Sequence, residues 1–237
     1  MGETLTRSIA KLLSVSEQER MKSFVLEKLQ QDFLLSRGVL RTVLSKYNPE
    51  VKPGDWQFQT NVWGRPHVKD GGANFDFNLS HSEGMIVLAV SDGRNIGVDV
   101  ERVKENIDLD IAESVFSKEE FDQFQKLPES QKRNHFFRLW VLKESFIKAK
   151  GQGLSIGLDQ FSFHIDQDEG LRFETRIPED RKTGHWKFSL FDLEDHKLAL
   201  CHKEDAVAQE VNIWRADGVM DGEIIYREAD YSLIWRC

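Results

Sequence analysis

Cysteine is nearly absent from this 237-residue chain, with Cys201 and Cys237 the only two. Two thiols with no CxxC or other zinc-type spacing exclude a metal knuckle and a disulfide framework, and they suit a reducing compartment. Long apolar runs are missing as well. The longest, Met85 to Val90, falls far short of the roughly 20 residues a membrane-spanning helix needs, so no transmembrane segment is expected. The opening stretch MGETLTRSIAKLLSVSEQERMKS lacks a basic segment leading into an apolar one with a small-residue cleavage site. That argues against a secretory signal and for a cytoplasmic protein. Positive charge is not in excess: 32 Lys and Arg against 40 Asp and Glu give a formal charge of -8. General adhesion to nucleic acid or to an anionic membrane is therefore not expected. Repeats and low-complexity segments are also lacking. What is present, 40% hydrophobic and 30% charged residues, is the composition of a folded protein of one or two domains.

Residues 16–45 contain no proline and one glycine, and Phe24, Leu29, Phe33, Leu34, Leu40 and Leu44 recur at helical spacing, so helix is expected there in one or two pieces. Pro49, Pro53 and Gly54 end it. Trp56 to Thr60 alternates like a strand. Short apolar or alternating runs at 75–79, 85–91 and 96–101 read as strands, and Asp92-Gly93 between the last two predicts a hairpin. Helical patterns follow at 110–125 and 130–150, the second stopping at Gly151. Strands return at 161–165, 171–175, 185–191 and 197–202, and residues 211–214 and 231–235 suggest an appended hairpin or tail. The order helix, strands, helices, strands predicts an α+β fold with mainly antiparallel sheets. Polar residues 104–108 mark the best internal boundary, giving an N-terminal half 1–104, a C-terminal half 105–204 and an extension 205–237.

Three segments can carry chemistry. In Ile96-Gly-Val-Asp-Val-Glu101 the period of two puts Ile96, Val98 and Val100 on one face and Gly97, Asp99 and Glu101 on the other. Two carboxylates roughly 7 Å apart on a strand repel unless a cation lies between them, and a hard divalent ion such as Mg²⁺ fits an oxygen donor set. Gly97 is expected to leave room for a ligand. The bland alternative is a solvated acidic strand face. In the helical segment, Trp140, Glu144 and Lys148 follow one another at intervals of four along one stripe. Either the stripe addresses a ligand or Glu144 and Lys148 form an ordinary surface pair. In Phe77-Asn-Leu-Ser-His-Ser82, Ser80 and His81 suit an anion, or simply cap a turn. A serine hydrolase is rejected because adjacent strand residues face opposite ways and no G-x-S-x-G elbow exists. Arg37 and Arg41, one helical turn apart, and Arg65 in the Gly-Arg-Pro loop can also bind anions, though each taken alone reads rather as solvated surface.

Taken in order, Trp63-Gly-Arg-Pro66, Phe77-Asn-Leu-Ser-His-Ser82, Ile96-Gly-Val-Asp-Val-Glu101 and Leu139-Trp-Val-Leu-Lys-Glu-Ser-Phe-Ile-Lys148 followed by Gly151 and Gly153 closely resemble the signature set of the Sfp-type 4'-phosphopantetheinyl transferases. The resemblance runs over residues 20–202. It implies transfer of phosphopantetheine from coenzyme A to a serine of an acyl or peptidyl carrier protein, with release of adenosine 3',5'-bisphosphate. It also implies two pseudo-symmetric α+β halves with coenzyme A in the cleft between them, acting as a monomer. By motif position, Asp99, Glu101 and Glu144 would hold Mg²⁺ and Lys148 the pyrophosphate, while Arg37, Arg65, Ser80 and His81 would surround the adenosine end. Glu144 is then the best general base for the incoming serine. Lys143 suits a structural role as readily as a catalytic one. Lys118, Lys132 and Arg133 are candidates for the carrier contact.

Two rival readings start from the same residues. A Mg²⁺-dependent nuclease would use the same acids and Lys148, against which stands the absence of a basic stripe. A catalytically idle module binding coenzyme A or a carrier would have no chemical need of all three acids and Lys148.

Overall fold

A computed structural model describes residues 3–69, 74–93, 95–166, 170–183, 186–193 and 195–203, together with the strands at 214–220, 223–228 and 233–236. Helices α1 (Glu3–Ala10), α2 (Val15–Ser23) and α3 (Glu27–Tyr47) come first. The long helical stretch is split because Phe24 and Leu26 take extended backbone angles between α2 and α3. Ser14 starts α2 with a capping box, its hydroxyl accepting the Glu17 N–H while the Glu17 carboxylate accepts the Ser14 N–H. Arg41 on α3 is 1% exposed. Its guanidinium donates to Glu17 Oε2 at 2.6 and 3.2 Å and to the carbonyls of Pro53 and Trp56 at 3.0 and 2.9 Å. Arg41 therefore ties the following loop to the helices. These helices belong to one compact unit, built from residues 1–59, 67–73 and 210–230.

The other unit comprises residues 60–66, 74–209 and 231–237. The chain enters it through a two-stranded ribbon, β1 (Phe58–Thr60) and β2 (Pro66–Val68). Next come β3 (Asp76–Ser82), β4 (Met85–Ser91) and β5 (Ile96–Arg102). The hairpin lies one turn earlier than Asp92-Gly93 predicts. β3 pairs with β4 across Glu83-Gly84, with Gly84 at φ +90°, whereas β5 leaves to pair with a distant strand. Asp76 decides this. Its Oδ2 accepts the N–H groups of Asn95 and Ile96 at 2.9 and 3.2 Å, so the chain turns away from β4 with Asn95 in the left-handed region at φ +65°.

The predicted helix over 110–125 is broken into α4 (Ala112–Val115) and α5 (Lys118–Gln125), because Ser117 adopts an extended conformation and opens α5 with a capping box to Glu120. α6 (Glu129–Lys150) starts after Pro128 and ends where Gly151, at φ +66°, donates its N–H to the carbonyls of Ile147 and Lys148. β6 (Phe161–Asp166) and β7 (Gly170–Thr175) pair antiparallel, and α7 (Pro178–Thr183), absent from the sequence reading, precedes β8 (Trp186–Leu193) and β9 (His196–Lys203). The tail supplies a hairpin, β10 (Trp214–Met220) with β11 (Glu223–Glu228), and an edge strand, β12 (Leu233–Arg236). Residues 211–213, 231 and 232 of the expected tail lie outside the described ones. The main sheet runs β12-β8-β9-β5 and is antiparallel throughout, so the fold is α+β as expected.

α6 covers the face of β5 that carries Gly97, Asp99 and Glu101, the same face on which cross-strand partners Ala199 and Cys201 are buried. Gly97 therefore makes room for a helix and not for a ligand. A Cβ there would sit 2.0 Å from the Ser145 carbonyl oxygen and 2.4 Å from the Ala149 nitrogen. Gly97→Ala must push α6 off β5, and we expect it to lose about 1–3 kcal/mol or more in urea denaturation. Below α6 the core is aromatic, with Phe146 4.7 Å from Phe161 and 5.1 Å from Trp186 between ring centroids. Such pairs add about 0.5–1.5 kcal/mol each beyond burial.

Acid sensitivity is built into α6. Burial, helped by the Arg138 charge, lowers the His135 pKa from 6.5 to about 4. The folded state keeps this ring neutral while the unfolded chain protonates below pH 6.5, so stability falls as pH drops from 6.5 toward 4. By pH 5 the loss from this one group is about 2 kcal/mol. His135→Gln should shrink the fall in melting temperature between pH 7 and pH 5, and an unchanged fall would show that His135 is not the group responsible.

Candidate functional site

β3, β5 and α6 converge on a pocket of about 540 Å³ within the larger unit. From β5 come Asp99 and Glu101, from β3 Ser80 and His81, and from α6 Trp140, Glu144 and Lys148. The loop Trp63 to Pro66 and the glycines Gly151 and Gly153 complete the lining. The stripe of α6 read from spacing thus faces one cavity as a unit. Residues from both sides of the boundary at 104 contribute.

Lys148 is the hub. Its ammonium donates to Asp99 Oδ1 at 2.6 Å and to Ser80 Oγ at 2.9 Å, and the Ser80 hydroxyl donates to the same Asp99 oxygen at 2.9 Å. Asp99 is 4% exposed, and its second oxygen, Oδ2, is buried without a hydrogen-bond partner. Burial raises the Asp99 pKa, while Lys148, Ser80 and the Val100 N–H oppose the rise. Burial also raises Glu101, with Ser82 opposing and the Asp99 charge adding to it. Glu144 rises for the same reason, burial first, then repulsion from Asp99, with Lys148 pulling the other way and Glu101 adding a smaller push. Three carboxylates that repel one another thus feel the Lys148 ammonium, with Lys104 adding its attraction at Glu101.

An additional cation would relieve that repulsion, and the orphaned Asp99 Oδ2 is a ready ligand for it. Among the described residues no three His, Cys, Asp or Glu side chains converge into a closed cation cage. Mg²⁺ does not require one, since it keeps waters and substrate phosphates in its shell and is usually bound by one or two carboxylates. The donor set fits such an ion.

Not every expected ligand group points at the cavity. Arg65 lies in the pocket wall, but its guanidinium donates to the carbonyls of Lys148, Ala149 and Ile96 at 2.8, 2.6 and 2.9 Å and to Asp76 Oδ2 at 2.7 Å. It caps the C-terminal end of α6, directly behind Lys148. Arg37 belongs to the helical unit, where it lies 3.6 Å from Glu17 and over the Phe33 ring. His81 is exposed on the wall, which also holds Trp63, 55% exposed. Lys143 points the other way, into the core, with its ammonium 2.7 Å from Glu120 and 3.1 Å from the Phe161 carbonyl, a placement that favours the structural of its two readings.

Sequence reasoning missed a set of side chains on β3. Asn78 Oδ1 accepts the Val98 N–H at 2.9 Å, Ser80 Oγ the Val100 N–H at 3.3 Å, and Ser82 Oγ the Arg102 N–H at 3.1 Å. β3 and β5 belong to different sheets, yet these three side chains stand in for the carbonyls of a ladder between them. The signal was present in the alternation Asn78, Ser80, Ser82, three short polar side chains on one strand face.

Two family models match the chain. One, described as 4'-phosphopantetheinyl transferase superfamily, covers residues 95–201, and another, 4'-phosphopantetheinyl transferase, N-terminal, covers residues 3–93. The 4'-phosphopantetheinyl transferase Sfp of Bacillus subtilis (strain 168) is 33% identical over 201 residues, spanning 80% of this chain and 87% of that protein. This chain belongs to the 4'-phosphopantetheinyl transferase superfamily. Other members are similar to it: HetI of Nostoc sp. is 32% identical over 73% of each chain, and psf-1 of Bacillus pumilus is 34% identical over 69% of this chain and 67% of its own. A crystal structure of holo-[acyl-carrier-protein] synthase from Neisseria meningitidis overlaps 47% of this chain and 98% of its own, with a TM-score of 0.41 at 21% identity. The superfamily match over residues 95–201 contains Asp99, Glu101, Glu144 and Lys148, all four ionisable groups at the heart of the pocket.

Proposed function

We propose that this chain transfers 4'-phosphopantetheine from coenzyme A to the serine hydroxyl of an apo acyl or peptidyl carrier protein. The observation that carries the reading is the meeting of Asp99, Glu101, Glu144 and Lys148 in one pocket of a chain from the phosphopantetheinyl transferase superfamily. In the reaction the carrier serine oxygen bonds to the pantetheine-bearing phosphorus. The bond from that phosphorus to the bridging oxygen breaks, and adenosine 3',5'-bisphosphate departs with the electron pair. Phosphoryl transfer of this kind chiefly needs positioning and neutralisation of charge on the oxygens.

Lys148 supplies a fixed ammonium for the pyrophosphate, held in place by Asp99 and Ser80. Asp99, Glu101 and Glu144 would hold Mg²⁺, which when bound neutralises developing charge on the pyrophosphate oxygens. Glu144 takes the serine proton, and its raised proton affinity suits a general base acting near neutral pH. At the adenosine end, His81 and Ser80 stand in the pocket wall and Arg65 shapes that wall while engaged with α6; Arg37 is assigned to coenzyme A by the motif likeness alone. The division into halves at 104 belongs to the same proposal; the two family matches meet ten residues earlier, between residues 93 and 95. We read the protein as a monomer, and no helix among the described residues is long and apolar enough to cross a membrane. We place the reaction in the cytoplasm, with no nucleic acid or membrane partner. Lys118 and Arg133, both exposed, are offered to an acidic carrier, whereas Lys132 pairs with Glu129.

Intact mass of an apo carrier protein after incubation with the enzyme, coenzyme A and Mg²⁺ tests this directly. The expected result is a gain of one phosphopantetheine, about 340 Da, that vanishes when EDTA removes the metal. Coenzyme A binding with no gain on any carrier would point to the idle module instead, and hydrolysis of a nucleic acid to the nuclease.

A further inference from the structure

Ser82 stands at the end of β3, outside the residues that line the pocket, yet it touches one that does. Its oxygen accepts the Arg102 N–H at 3.1 Å, and its hydroxyl lies 3.0 Å from Glu101 Oε2. A serine hydroxyl has one proton and two lone pairs, while a backbone N–H can only donate. With the amide on a lone pair, the hydroxyl proton is left for the carboxylate. The same arrangement recurs two residues earlier, where Ser80 accepts from the Val100 N–H and donates to Asp99. Each acid of β5 is thus aimed by the hydroxyl that also accepts the N–H of the residue following it.

Glu101 needs such a constraint more than Asp99 does. Its side chain is longer and only half-buried, and Ser82 is its one hydrogen-bond partner among the described residues. Lys104 and Lys148 attract it, and Asp99 repels it. We propose that Ser82 is a positioning residue that aims the Glu101 carboxylate for a divalent cation, an inference that rests on the metal-dependent reading above. Ser80 does the same for Asp99 but also touches Lys148, so Ser82 is where the effect can be isolated.

Mn²⁺ gives a direct readout that requires no turnover. The full chain with coenzyme A, and no carrier, is titrated with Mn²⁺ while the free ion is followed by electron paramagnetic resonance. Ser82→Ala should bind Mn²⁺ about 10–100-fold more weakly than wild type, the usual cost of removing a group that orients a metal ligand. Ser82→Thr keeps the hydroxyl on a residue suited to a strand and should bind within about threefold of wild type. In a Glu101→Gln background, Ser82→Ala should add nothing, because the group it orients is gone. A purely structural Ser82 would instead lower the melting temperature through the lost Arg102 acceptor and leave Mn²⁺ affinity alone. Affinity of Ser82→Ala within about twofold of wild type, or an equal loss in the Glu101→Gln background, overturns the inference while leaving the metal site standing. No Mn²⁺ binding by the wild-type chain overturns both.

Discussion

Glu144→Gln should remove transfer and keep the fold. Gln preserves shape and volume but cannot take the proton of the carrier serine, and general base catalysis contributes about 10²–10⁴-fold. Loss of a proposed metal-binding carboxylate adds to the deficit, so a rate at least 10³-fold below wild type is the expected order of magnitude. The stability change has a definite sign. Burial and the Asp99 charge raise the Glu144 pKa, so at neutral pH the ionised carboxylate costs folding free energy that a neutral amide does not. Glu144→Gln should therefore melt at the same temperature as wild type or slightly higher. Carrier phosphopantetheinylation followed by mass, alongside a thermal melt, checks both halves. An unfolded variant, or one with wild-type rates, would remove Glu144 from the role assigned to it.

Lys143→Met, one residue away, should do the reverse. Lys143 and Glu120 are both 0% exposed, and the ammonium is 2.7 Å from Glu120 Oε2. Glu120 also accepts the Ser117 N–H at 2.7 Å and the Phe163 N–H at 2.8 Å, so one carboxylate caps α5, holds β6 and pairs with α6. Burial lowers the Lys143 pKa, and the Glu120 charge counteracts it. Removing the lysine leaves a buried carboxylate without its countercharge, a change that typically costs about 3–5 kcal/mol. Urea denaturation should show that loss. The double variant Lys143→Met, Glu120→Gln should lose less than the two single changes together, because it leaves no lone buried charge behind. Below its melting temperature the single variant should keep its turnover, since Lys143 faces away from the pocket. A stable variant with low turnover would return Lys143 to the catalytic set.

These two neighbours show how far the sequence could be read. The stripe Trp140, Glu144, Lys148 was legible because a helix repeats every 3.6 residues and one stripe shares one environment, and all three do line the pocket. Lys143 was ambiguous, because its role depended on what lay across the core at Glu120 and Phe161. The same limit appears in the strands. Alternation put Asp99 and Glu101 on one face of β5, but it could not say that α6 covers that face at Gly97. Asp92-Gly93 looked like a hairpin because the local turn chemistry favours one. The structure instead joins β5 to β9, about a hundred residues later in the chain, with Asp76 holding the intervening turn.

Arg65 marks the limit most sharply. Taken alone, an arginine in a Gly-Arg-Pro loop reads as solvated surface, and the motif likeness sets it at the adenosine end; in the structure four backbone and carboxylate oxygens from α6, β5 and β3 accept from its guanidinium. Local order was determined by the sequence itself: the α+β order of elements, the stop of α6 at Gly151, and the four motif segments that carry the superfamily likeness. These depend on periodicity, capping and left-handed glycines, all short-range. Which groups touch was decided only by tertiary structure: Lys148 on Asp99, Ser82 on Glu101, Lys143 on Glu120, Arg65 on the end of α6. Hydrogen bonds and ion pairs act over about 3 Å, and nothing in the spacing of residues 19 to 84 positions apart states which of them will come that close.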